Sequence, residues 1–109
     1  MDIFLKLVQH VEGVELDRLE PLTTLLVWTW NSLYRVVVAQ RSAVLVQGGF
    51  FFPEPTPAQV DGASTGGSLL KSGWIGVGLL MELRVGSRRI VTSPVVAIVT
   101  EQSFISVPQ

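Results

Sequence analysis

Four cations and three tryptophans are the residues best equipped for chemistry in this chain. Arg84, Arg88 and Arg89 flank one Gly-Ser dipeptide, Lys71 follows a stretch of glycines and hydroxyls, and Trp28, Trp30 and Trp74 offer flat aromatic surfaces. Arginines around a turn can hold a phosphate, and rings beside them can stack the bases of a single strand. Lys71, Arg84, Arg88 and Arg89 are therefore the candidate anion-binding residues. The formal net charge of −1 speaks against nucleic acid as the partner, since modules that bind it are visibly basic. Glu82, diagonal to Arg89 if these residues form a hairpin, supplies an internal counter-charge for opposed arginines.

Other constellations fall short of a reaction. Gly62 to Lys71 has the composition of a phosphate-cradling loop, but it lacks the terminal Gly-Lys-Ser/Thr and precedes a strand pattern, not a helix. It reads as a barrel loop. His10 is the only histidine, and no acid and hydroxyl are spaced to make it a general base. Folding would have to gather Glu54, Asp61 and Ser64 to build an acid–nucleophile site. With one histidine, no cysteine and scattered acids, no metal ligand set is expected, and no cofactor motif is present.

The elements that must position these residues are mostly strands. Residues 25–38 read as a hairpin turning at Asn31-Ser32, with Trp30 opposite Leu33, Trp28 opposite Arg35 and Leu26 opposite Val37. Leu25, Val27, Tyr34, Val36 and Val38 share one face; Leu26, Trp28, Trp30, Leu33 and Val37 share the other. A sheet with one wet side alternates apolar with polar, and this hairpin does not. Its second face is expected to be covered, either by the chain's own N-terminal stripe (Phe4, Leu7, Val8, Val11) or by a partner. Leu26, Trp28, Trp30, Phe51 and Trp74 are the candidate interface residues, tryptophan being a common interface anchor.

Residues 2–12 fit a helix bearing that stripe, with Asp2 as N-cap and Gly13 as stop, and they also alternate as a strand would. Residues 14–24 form a connector ending near Pro21. Ala43–Gln47 is a short strand. Pro53, Pro55 and Pro57 force an extended path expected to wrap over the surface, with Phe50, Phe51 and Phe52 pinned into the core or an interface. From Gly73 to Val85 the side chains alternate, leaving Gly76 and Gly78 as a bare patch open to another backbone. Gly86-Ser87 is a two-residue turn that sets Leu83 opposite Ile90 and Arg84 opposite Arg89. Ser93-Pro94 then interrupts before a last strand, Val95 to Thr100.

About six short strands with turn chemistry between them predict a mainly β fold, a small partly open β-barrel of SH3-like or OB-like kind with an N-terminal helix or extra strand. The chain divides into an appendage and connector (1–24), a barrel domain (25–100) and a tail (101–109). Its 109 residues suffice for one core, and only 16% of them are charged. Five acids against two bases in residues 1–20 give that segment −3, leaving +2 for the rest (six bases, four acids). No secretory leader pattern opens the sequence, and its longest apolar run is half a helical membrane span. A cysteine-free chain suits a reducing cytoplasm.

The runs Phe51-Phe52-Pro53-Glu54, Gly66-Gly67-Ser68, Lys71, Gly73-Trp74-Ile75, Met81-Glu82 and Thr92-Ser93-Pro94-Val95 resemble a group of small uncharacterised bacterial proteins, over roughly residues 25–100. The resemblance implies a bacterial, cytoplasmic setting and carries no activity, cofactor or catalytic residue. Together these readings predict a non-enzymatic β-barrel module that self-associates or binds a protein, the alternative being weak anion or single-stranded nucleic-acid binding at the arginine-rich tip.

Overall fold

The computed structural model describes the backbone of residues 3–106 and the side chains of residues 8–101. It contains β1 (Ile3–Val11), β2 (Gly13–Glu15), a single 3₁₀ turn (Leu16–Arg18), β3 (Thr24–Thr29), β4 (Leu33–Gln40), β5 (Ala43–Gly48), β6 (Phe52–Ser64), β7 (Leu70–Ser72), β8 (Trp74–Gly76), β9 (Leu80–Val85) and β10 (Arg88–Ser106). None of these elements is a helix long and apolar enough to cross a membrane.

The expectation of a mainly β, barrel-like fold holds. One antiparallel sheet curves into a ring in the order β10, β3, β4, β5, β6, β9 and back to β10. Alternate residues of these strands fill it: Leu25, Val27, Val36, Val46, Phe52, Val60, Met81, Leu83 and Ile98 are all buried. A separate pair, β2 with β8, adds Val14 and Ile75 to the same core, and the 3₁₀ turn adds Leu16. Two strands exceed the ring. β10 runs for 19 residues, and its second half is flanked by β3 on one side and β1 on the other.

Several details differ from the sequence reading. Residues 3–11 are the extra strand, not the helix: they pair with β10 from Ile3↔Ser106 to Val11↔Ile98. The helical stripe and the alternation coexist in that sequence, and the long backbone edge of β10 selects the strand. The backbone of residues 3–11 therefore extends the sheet sideways beyond β10. Strand structure also continues through Ser106, into the expected tail.

The first hairpin pairs Trp28 with Leu33 and Leu26 with Arg35, two residues out of the expected register. Its turn is longer because Thr29 closes it, donating its N–H to the Ser32 carbonyl (2.8 Å) and accepting the Ser32 N–H at its hydroxyl (3.2 Å). A shift by two leaves every side chain on its expected face. The second hairpin has the register read from Gly86-Ser87, with Arg84↔Arg89 and Leu83↔Ile90.

The proline run does not wrap loosely; it is the first half of β6, paired with β5. Val60 sends its N–H to Ser42 on the β5 side (2.9 Å), so Pro57 and Pro55, odd-numbered in the same alternation, face the opposite edge. There β9 reaches only as far as Gln59↔Arg84, so no ladder bond is lost. Ser93-Pro94 is a bulge inside β10, not its end.

The bare patch at Gly76 is filled from within. Trp74 lies along the β2–β8 pair, so that a β-carbon at Gly76 would sit 2.6 Å from its indole nitrogen and one at Gly13 would sit 2.2 Å from the ring. Gly78 instead takes a left-handed turn conformation (φ 88°). Gly13→Ala is expected to destabilise the fold by about 1–3 kcal/mol through overpacking. Thermal unfolding of Gly13→Ala with and without Trp74→Ala checks this: the second change should make the first nearly neutral.

Candidate functional site

Each candidate cation has a partner inside the chain. Arg89 donates from Nε (3.0 Å) and Nη2 (2.7 Å) to one carboxylate oxygen of Glu82. The Ser64 hydroxyl donates to the other. Glu82 is on the outer side of β9 yet buried, enclosed by these partners from β6 and β10. The hydrogen bond from Ser64, then that from Arg89, hold its carboxyl below the ordinary glutamate range, outweighing burial, which acts the other way. Arg84 reaches Asp61 at 3.2 Å, Arg88 lies 5.3 Å from the Phe51 ring centre, and the Lys71 ammonium stands 3.8 Å over Trp74. The repulsion expected between Arg84 and Arg89 is met by two carboxylates, one for each.

The residues of a conceivable acid–nucleophile site are engaged elsewhere. Ser64 is committed to Glu82, Asp61 to Arg84, and Glu54 is exposed on the proline edge. His10 stands exposed on β1, a strand that pairs only with β10. The cleft beside Ser64, about 360 Å³, is lined chiefly by Ala63, Leu69, Leu70 and Leu79. No cluster of three metal-ligating side chains occurs among the described residues. Sequence reading found the Glu82–Arg89 contact but missed Ser64, because the serine arrives from β6, 18 residues away.

The five candidate interface residues divide among three places. Phe51 is in the β5–β6 turn, edge-on to Phe50 with ring centres 5.5 Å apart. Trp74 packs on β2–β8. Only Leu26, Trp28 and Trp30 belong to one surface, the outer side of β10–β3–β4–β5. There Trp28 lies between Ala97 and Leu33, Leu26 between Val99 and Arg35, and Val37 beside Leu45. Leu26 and Trp28 are half-buried among these neighbours, while Leu33 is 45% exposed and Leu45 41%. Trp30, at the hairpin tip, is 74% exposed, with its backbone anchored to the Pro94 carbonyl at 3.2 Å.

Strands alone shape this surface. β3 touches chiefly its sheet neighbours β10 and β4, and β1 adds to the sheet laterally. Arg35 and Glu101 are the charged side chains in its central rows, so a partner would meet mostly apolar atoms. Each large side chain fully buried there contributes about 1.5–3 kcal/mol.

Comparison with known proteins adds no relative: no family model, no curated protein and no solved structure matches the chain.

The Glu82 cluster gives a measurable pH dependence. A carboxyl held below its unfolded value contributes stability that is complete above about pH 5 and is lost as pH falls through the folded value. Arg89→Met is therefore expected to cost about 1–3 kcal/mol at neutral pH by removing two charge-assisted hydrogen bonds. In denaturant titrations the gap from the parent should narrow below about pH 4; a gap independent of pH would exclude an ionised Glu82 as its source.

Proposed function

We propose that the chain is a non-enzymatic interaction module that associates with another protein or a copy of itself through the outer face of β10–β3–β4–β5. The observation that carries this is the contiguous apolar set Leu26, Trp28, Trp30 and Leu33 on one sheet face, with Trp30 and Leu33 exposed and Leu26 and Trp28 half-buried. Interfaces of this kind have an aromatic and aliphatic centre and few charges. The ring already has a complete core, so the outer residues are not needed to close it.

Weak anion or single-strand binding at Lys71, Arg84, Arg88 and Arg89 is the lesser reading. It must compete with Glu82, Asp61, Phe51 and Trp74 for those side chains. A bacterial cytoplasmic setting belongs to the same proposal and rests on the resemblance of runs such as Gly73-Trp74-Ile75 to small bacterial proteins, with which a cysteine-free sequence is compatible.

Trp28→Ala combined with Trp30→Ala is expected to weaken association at least about tenfold, or about 1.4 kcal/mol. Sedimentation velocity over a concentration series checks this, with circular dichroism to show that the strands remain. A variant that loses its cooperative unfolding transition would assign both tryptophans to the fold and overturn the interface.

A further inference from the structure

We infer that the free edge of β1 pairs, antiparallel and about a two-fold axis, with β1 of a second copy. This contact uses different atoms from the tryptophan face and does not depend on it.

The direction of the backbone groups follows from a chain of hydrogen bonds. Trp30 donates its N–H to Pro94 on β10, whereas the Thr29 N–H turns to Ser32. On β3 the even-numbered residues Trp28 and Leu26 therefore address β10, at Ala97 and Val99. Ile98 and Thr100 are left to address β1, at Val11 and Gln9. In agreement, the Gln9 carbonyl accepts the Thr100 hydroxyl at 3.3 Å. The even residues Phe4, Lys6, Val8 and His10 thus aim their backbone groups away from β10. Glu12 continues that series, and its carbonyl accepts the Val77 N–H at 2.9 Å. The ring itself fills this edge up to Glu12; from His10 outward no described residue pairs with it.

An unpaired edge of nine residues attracts another strand unless it is blunted. Two other open edges are blunted. β7 has three residues, and the outer edge of β6 before Gln59 carries Pro55 and Pro57. β1 has no proline and no bulge within its pairing to β10, and Lys6 is its one formal charge. Residues 3–7 and 102–106 also run beyond β3 as a two-stranded ribbon, about 17 Å long at 3.3 Å per residue. Such a ribbon is marginally stable in water without a third strand.

A second copy supplies a matching edge, and one register uses it fully. Centring the two-fold on Leu7 sets Lys6 opposite Val8 and Phe4 opposite His10, for about eight backbone hydrogen bonds. Centring on Lys6 would oppose two ammonium groups. Centring on Val8 would oppose Phe4 to Glu12, whose carbonyl is already taken. Val8 and His10 share the face of Trp28, through Glu101–Thr24 and Val99–Leu26, so pairing would present both tryptophan faces on one side of the joined sheet.

Val8→Pro removes one outward N–H and leaves the bonds to β10 in place. Sedimentation velocity on the full chain is expected to show the strand-paired dimer weakened at least tenfold in Val8→Pro, and a dimer retained in Trp28→Ala/Trp30→Ala. Hydrogen exchange of the parent supplies a second readout if the proline variant fails to fold: the Lys6, Val8 and His10 amides should be protected only at concentrations where it associates. An assembly unaffected by Val8→Pro but dissolved by the tryptophan changes would overturn the edge contact and leave the face standing. The converse would overturn the face alone. A monomeric parent at every concentration, or exchange at those amides that ignores concentration, would overturn the edge contact.

Discussion

Backbone pairing along β10 is the constraint on which the rest depends. A strand has two edges, each a row of donors and acceptors that must be met by protein or water. β10 runs through 19 residues and finds partners in β9 and then β1 on one edge, and in β3 on the other. Without the β9–β10 pairing the sheet would be an open ribbon, with its buried side divided between two unconnected ends. With it, the inward residues of six strands meet across one core. Closure pairs most residues of the ring strands on both edges, and β1, β7 and the proline half of β6 are among the edges left open.

The seam between β6 and β9 needs particular residues because the chain changes partner there. β6 leaves β5, takes up β7 on the same side, and bulges against β9 between Val60 and Gly62. Gly62 has φ 152°, and a β-carbon on it would stand 2.1 Å from the Lys71 carbonyl oxygen, so no other residue lets β7 come so close. Just beyond lies Glu82, whose oxygens are claimed by Ser64 and Arg89 and so tie β6 and β10 to the strand between them. A buried carboxylate is tolerable only with partners of this kind. The cluster acts as a clasp on the seam, one carboxylate oxygen accepting from β6 and the other from β10.

Period-two alternation made most of the ring legible. The inward set of the first hairpin, the two-residue turn at Gly86-Ser87 and the Arg84–Glu82–Arg89 geometry could all be read locally. What could not be read depended on distant edges. Residues 3–11 satisfy helical and strand periods alike, and only the length of β10 chooses between them. Pro55 and Pro57 argue against a central strand, correctly, but say nothing of a strand whose other edge is left open. The Trp74 indole could not be foreseen as the filler of Gly13 and Gly76, because β2 and β8 are about 60 residues apart and three residues long. Of the candidate interface, the local alternation placed Leu26, Trp28 and Trp30 together, while Phe51 and Trp74 were joined to them by residue type alone.

The outer tryptophan face and the β1 edge adjoin, and the reason is topological. β1 attaches to β10 only after β9 has ended, so it extends the sheet sideways instead of closing or covering it. The outer rows Gln47–Arg35–Leu26–Val99–His10 and Leu45–Val37–Thr24–Glu101–Val8 therefore run through β4, β3 and β10 to β1 and stop at an open backbone edge. Arg35 and Glu101 are the charges in these rows, and the neighbouring row Leu33–Trp28–Ala97 has none, in a chain with 16% charged residues. Exposing Trp30, Leu33 and Leu45 adds no stability to a single copy, whose core is complete without them. Covering them recovers the hydrophobic term, and pairing the edge recovers the backbone term. The two demands are independent in their physics, yet one extended sheet surface carries both.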